Sequence, residues 1–140
     1  MGSRRLYLAL QVAGHRVRAI ADQQAKDALG VTAAQLGMLY VVGSQPGCSQ
    51  RDLAQHLQVR ESGVTQAMAR LEALGLIRRE RRDGRSLALF LTEAGAKVNE
   101  GSRPLGTLLE DRLAEGFTND ELDIVQRFLQ TATDRFREPS

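Results

Sequence analysis

Apolar side chains at Leu6, Leu10, Ala13, Val17, Ile20 and Ala21 return every three or four positions, the period of one helix face. The pattern predicts an amphipathic helix over about residues 3–29, ended by Gly30. Thr32 stands three residues before Gln35, the spacing of a capping box, and predicts a second helix carrying Leu36, Leu39, Tyr40 and Val42. That helix stops at Ser44-Gln45-Pro46-Gly47. Ser49 with Asp52 is a similar start for a short helix holding Leu53, Ala54 and Leu57. After a turn at 58–60, a fourth helix is predicted over 61–74, with Val64, Ala67, Met68 and Leu71 on one face and Gly75 beyond its end.

The period then shortens. Leu76-Ile77-Arg78-Arg79-Glu80-Arg81 and Ser86-Leu87-Ala88-Leu89-Phe90-Leu91 flank an Asp-Gly turn signal, which predicts a β-hairpin. Leu87, Leu89 and Leu91 alternate to one side of the second strand, so that side is expected to be buried. A helix over 92–115 follows, with a kink or break expected at Gly101 and Pro104. Thr118 and Glu121 form a capping box for a last helix with Leu122, Val125, Phe128, Leu129, Ala132 and Phe136 at helical steps. Helix, short helix, turn, helix and hairpin in that order describe a winged helix-turn-helix. The predicted fold class is therefore mainly α with a small β-hairpin (α+β), one domain over residues 1–140.

Composition narrows the function without naming it. With 42% apolar and 26% charged residues and a mean hydropathy of −0.30, the chain of 140 residues reads as a soluble globular protein. No apolar run approaches a membrane span, the first residues do not resemble a secretion signal, and the lone Cys48 excludes a disulfide framework. A cytoplasmic location is expected. The net charge of +2 is unevenly spread: residues 1–50 and 51–85 each carry +3, and residues 86–140 carry −4. All but two of the 19 basic residues are arginine, the side chain suited to bidentate contact with phosphate or guanine, although genome composition could produce the same bias.

Three stretches resemble one family. Leu71-Glu72-Ala73-Leu74-Gly75-Leu76-Ile77, the Asp83-x-Arg85 pair and Leu91-Thr92-Glu93-Ala94-Gly95 are similar to the multiple-antibiotic-resistance-regulator (MarR) family of bacterial transcription regulators. The resemblance implies a winged helix-turn-helix over 32–92, and helical dimerisation parts over 1–30 and 93–140. It further implies a homodimer on double-stranded DNA, with a recognition helix in the major groove and the hairpin as a wing in the minor groove. Members commonly repress nearby genes and answer to small aromatic compounds or oxidants. The terminal stripes point the same way: they are too long for the winged core to cover, and a second copy would bury them.

On the fourth helix Ser62, Thr65, Gln66 and Arg70 fall opposite Val64, Met68 and Leu71. A solvated helix face would look similar; the resemblance makes it the recognition face. Gln66 suits adenine, Ser62 and Thr65 suit phosphate or a thymine methyl, and Arg70 suits phosphate. Two residues depart from the family pattern: Arg60 stands at a position often held by a capping Ser, Asp or Asn, and Gly63 lies in the first turn, where it costs up to about 1 kcal/mol relative to Ala. Ser49 and Gln50 are expected to meet phosphate at the start of the short helix. In the wing Arg81, Arg82, Asp83 and Arg85 are candidates, with Arg85 at the tip and Asp83 accepting hydrogen bonds from a neighbouring arginine. A charged edge that resists strand aggregation would also explain these arginines.

Cys48 is open to two readings: an oxidant sensor beside a helix N-terminus, or a small buried hydrophobe. His15 could line an effector cavity at the dimer junction or simply lie at a surface, and His56 is expected on the exposed side of its helix. Neither histidine has metal-ligand spacing, and no nucleophile–base pair, phosphate loop or dinucleotide motif is present. No metal, cofactor, membrane or enzymatic activity is expected. The expected function is a sequence-specific regulator, a ligand- or stress-responsive repressor on a pseudo-palindromic operator. The alternatives are a winged-helix protein–protein adaptor and a nonspecific architectural DNA-binding protein.

Overall fold

A computed structural model describes residues 3–84 and 86–137. Six helices and one hairpin follow in the order α1 (Leu6–Leu29), α2 (Ala33–Ser44), α3 (Gln50–Leu57), α4 (Glu61–Ala73), β1 (Ile77–Arg82), β2 (Ser86–Leu91), α5 (Glu93–Ala114) and α6 (Asn119–Arg135). Three helices begin at reciprocal capping boxes. Thr32 with Gln35, Ser49 with Asp52 and Thr118 with Glu121 each satisfy the free N–H groups of the first turn. Asp22 of α1 accepts a further N–H, from Ala33 at 2.9 Å, and so fixes the start of α2 to α1. Gly30 closes α1 in the left-handed region at φ 73°.

By their internal contacts the residues form two compact units, Met1–Leu105 and Gly106–Ser140. In the first unit the core is assembled from α2, α3, α4 and the hairpin. Leu39, Val42, Leu53, Val64, Met68, Leu71 and Leu89 are its fully buried side chains. The strands pair antiparallel with Ile77 opposite Leu91 and Arg82 opposite Ser86, leaving residues 83–85 as the connection. The expected alternation on β2 is softened: Leu89 is fully buried but Leu87 and Leu91 only half-buried, while Ala88 of the other face is buried. The backbone of Cys48 bridges Leu89, so the base of the hairpin is also tied to the segment before α3.

In the second unit α6 carries no buried residue, and Leu108, Leu113, Phe117, Ile124, Val125, Phe128, Leu129 and Phe136 are exposed. Of the kink or break expected at Gly101 and Pro104, the break is not there. Helix α5 runs unbroken through Gly101 and Pro104, at the cost of the one N–H that proline lacks, and the hydroxyl of Ser102 donates to Asn99 O one turn earlier.

One close approach joins α4, the hairpin and α5. Thr92 donates its hydroxyl to Gly75 O at 2.6 Å and its N–H to Leu76 O at 3.1 Å, and its oxygen accepts from Gly95 N at 3.0 Å. Gly95 thereby lies against the Leu76 peptide so tightly that an added Cβ would overlap the Leu76 carbonyl oxygen and stand 2.9 Å from its carbon. No rotamer relieves a clash between a Cβ and a backbone atom, so only glycine fits. Gly95→Ala is expected to lower stability by about 1–3 kcal/mol, as overpacking of a rigid interior does. Denaturant unfolding of the full chain checks this, and an unchanged midpoint contradicts the packing described.

Candidate nucleic-acid interface

Helix α3, the turn at 58–60 and helix α4 form the helix-turn-helix. Its corner is held by Gln58, the one described non-glycine residue with positive φ (54°), whose N–H closes the end of α3 on Ala54 O and Gln55 O. Burial of Leu53 and Ala54 on one side and of Val64, Met68 and Leu71 on the other orients the two helices. The opposite face of α4 is left to solvent: Arg60, Ser62, Gly63, Thr65, Gln66 and Arg70 are all exposed. Helix α4 starts at Glu61 with Arg60 at the N-cap and no side-chain cap bond, and Ser62 lies within its first turn.

Two of the expected residues are joined across the corner. The Thr65 hydroxyl lies 3.0 Å from Gln50 Oε1 and 3.1 Å from Glu61 O, linking the first turns of α3 and α4. Ser49 is already engaged: its oxygen accepts from Asp52 N at 3.0 Å and its N–H donates to Asp52 Oδ2 at 3.1 Å. The Ser49 N–H first, then the Ser49 side chain, hold the Asp52 carboxyl below its usual range. An anion at this helix start would therefore meet a carboxylate, which weighs against Ser49 as a simple phosphate cradle.

The hairpin's arginines are not equivalent. Arg78 lies over the ring of its cross-strand partner Phe90, 4.6 Å from the centroid, and pairs with Glu80. Arg79 forks onto Glu72 of α4, with Nη2 2.7 Å from Oε1 and Nε 3.1 Å from Oε2. That contact lowers the proton affinity of Glu72 and raises that of Arg79. Arg82 folds back over Gly47, where an added Cβ would come 2.6 Å from its Nη2. Gly47 also needs its positive φ of 87°. Arg81, opposite Leu87, is exposed. Asp83 is exposed in the turn, and the arginine partner expected for it is not among the ion pairs of the described residues; Arg85 lies outside them.

The Glu72–Arg79 partnership runs between a helix and a strand and has no fixed spacing, so the sequence carries no signal for it. Cys48 is buried, and burial first, then the nearby Asp52 charge, pushes its thiol pKa up. His15 is exposed on α1, and His56 is exposed on α3 with its Nε2 2.7 Å from the Gln45 amide. Among the described residues no group of three His, Cys, Asp or Glu side chains could hold a metal ion, and no helix is long and apolar enough to cross a membrane.

Residues 29–86 match the model of the MarR family. The HTH-type transcriptional regulator BilQ of Clostridium symbiosum (strain WAL-14163) is 34% identical over 91 residues, 61% of this chain and 63% of that relative, so the match spans under two thirds of the relative's length. Among solved structures, a MarR protein from Peptoclostridium difficile gives a TM-score of 0.88 at 19% identity over 98% of this chain and 90% of that one. S. aureus MepR, solved as a DNA complex, gives 0.85 at 24% identity over 96% and 98%. At these identities the likeness to the solved structures is one of fold. Over residues 29–86, which take in the helix-turn-helix and most of the hairpin, this chain is thus similar to the MarR family.

Proposed function

We propose that the protein is a sequence-specific DNA-binding transcription regulator that acts as a homodimer on a pseudo-palindromic operator. The observation that carries this reading is the exposed face of α4, with Ser62, Thr65, Gln66 and Arg70 turned to solvent beside a hairpin edge rich in arginine. That MepR shares the fold and is solved with DNA supports it. Gln66 is the reader of a base edge, because its amide can both donate and accept across one base pair. Arg70 and Arg81 supply phosphate neutralisation, and Asp83 orders the wing tip. The acidic balance of residues 86–140 keeps that end from DNA.

Dimerisation follows from what the single chain leaves uncovered. Of the 24 residues of α1 only Ala25 is buried, while Leu6, Leu8, Leu10 and Ile20 are 38–51% exposed. Covering such surface stabilises by about 25 cal/mol per Å², and a two-fold axis presents two recognition helices about 34–36 Å apart, one turn of DNA. Residues 1–30 and 93–140 are the dimerisation part in this reading, and 32–92 the DNA-binding part. Repression by occlusion, and release by a small aromatic effector at the dimer junction near His15, complete the proposal. Cys48 is assigned a structural role.

Three outcomes are expected. Site selection from random double-stranded DNA yields a two-fold symmetric site; affinity that falls with salt equally for all sequences indicates an architectural protein, and no binding indicates an adaptor. On the selected site Gln66→Ala relaxes the preference at one base pair by about 1–3 kcal/mol, whereas Arg81→Ala weakens all sequences alike and lowers the salt slope by about 0.9.

Ile124→Asp places a charge on the exposed apolar face of α6, and sedimentation is expected to show monomer with operator binding lost; a dimer that still binds refutes this interface.

Alkylation of native Cys48 at pH 8 is expected to run at least about tenfold slower than in the unfolded chain, since the thiolate is the reactive form. Equal rates contradict the structural role.

A further inference from the structure

We propose that Glu72 and Arg79 are positioning residues: their ion pair latches the hairpin to the recognition helix and sets the lean of the wing, so Arg79 acts through the hairpin rather than by touching DNA. The inference rests on the DNA-binding reading above and assigns roles within that site. Of the ion pairs made by Arg78, Arg79 and Arg137, the Arg79 pair is the one that joins two elements, the end of α4 and the third residue of β1. It uses both carboxylate oxygens and two guanidinium nitrogens, and its side chains are only 25% (Arg79) and 42% (Glu72) exposed.

A pair this open contributes little to stability, and its value is geometric. A fork–fork contact fixes direction as well as distance, which a lysine's point charge does not. The hairpin needs such a constraint. Two strands alone are marginal, and the backbone bridge of Leu89 to Cys48 holds one side of the base. Arg79 lies directly opposite Leu89 and ties the other side to α4. From Arg79 to the last pair, Arg82 with Ser86, the strand extends about 10 Å at about 3.3 Å per residue. A tilt of about 10° at the base therefore moves the tip by nearly 2 Å, while a polar contact tolerates displacements of about 0.5 Å. The latch is what converts an array of mutually repelling arginines into one aimed surface.

The test uses the full chain and double-stranded DNA sites selected by the unaltered protein. E72Q removes a negative charge near the DNA, so charge alone predicts tighter binding; the latch predicts binding about three- to tenfold weaker. R79K keeps the charge and loses the fork, and is expected to weaken binding as E72Q does, with the E72Q/R79K double variant no worse than either alone. The salt slope stays at the unaltered value in all three, and footprint protection is lost only at the wing-contacted flanks. Without DNA, amide exchange of 77–91 quickens about threefold in E72Q while that of 61–70 is unchanged. Equal or tighter binding by E72Q, unaltered affinity of R79K, or unchanged exchange overturns the latch. If the unaltered protein selects no site, the regulator reading fails, and quickened exchange in E72Q still establishes the latch itself.

Discussion

The close approach of Gly95 to the Leu76 carbonyl is the contact on which the placement of everything around it depends. Leu76 ends the connection from α4 and begins the hairpin; Gly95 lies in the first turn of α5. Thr92 ties the two by bonding Gly75 O and Leu76 O at once while capping α5 through Gly95 N. Three elements that carry different tasks are thus referred to one peptide group. Any side chain at Gly95 would push α5 from the base of the wing, and the wing from α4. The effect would be felt at Gln66 and Arg81, although neither touches Gly95. Position, more than chemistry, is what this part of the fold provides.

Charge in the hairpin obeys a second constraint. Five arginines in so short a stretch repel one another, and in isolation they would loosen the strands. The structure answers with separate partners: an aromatic face and Glu80 for Arg78, Glu72 for Arg79, and the open side of the Gly47 turn for Arg82. Phe90, Glu80 and Gly47 lie on one face of the hairpin, and Glu72 meets Arg79 on the other. Local repulsion is thereby converted into directional ties, and Arg81 remains exposed at an edge. Arg81 is thereby left where its charge can face an anion, while Arg78 and Arg79 are taken up by the protein's own carboxylates.

How far the sequence discloses this varies with the range of the interaction. Capping boxes at Thr32, Ser49 and Thr118 are local, with fixed spacing, and all three form as the residues predict. The Asp-Gly signal likewise places the hairpin, and burial of Val64, Met68 and Leu71 follows from helical period. Pro104 does not break α5, because the one N–H it lacks is outweighed by the rest of a 22-residue helix. The Gln50–Thr65 and Glu72–Arg79 ties span 15 and 7 residues across turns, so no periodicity reveals them. Motif residues at Gly75, Leu76, Thr92 and Gly95 were legible as a resemblance, but only coordinates give the reason, a backbone contact between two of the motifs.

The candidate site also differs from the rest of the molecule in what supports it. Residues that would face DNA stand on a well-buried core, from Leu39 through Leu89. Helices α1 and α6 have almost nothing buried beneath them, one residue in the first and none in the second. A helix so exposed is not stable by its own propensity, so its order depends on whatever covers the apolar stripe. In a dimer that cover is the second copy, and folding of the ends is then inseparable from assembly.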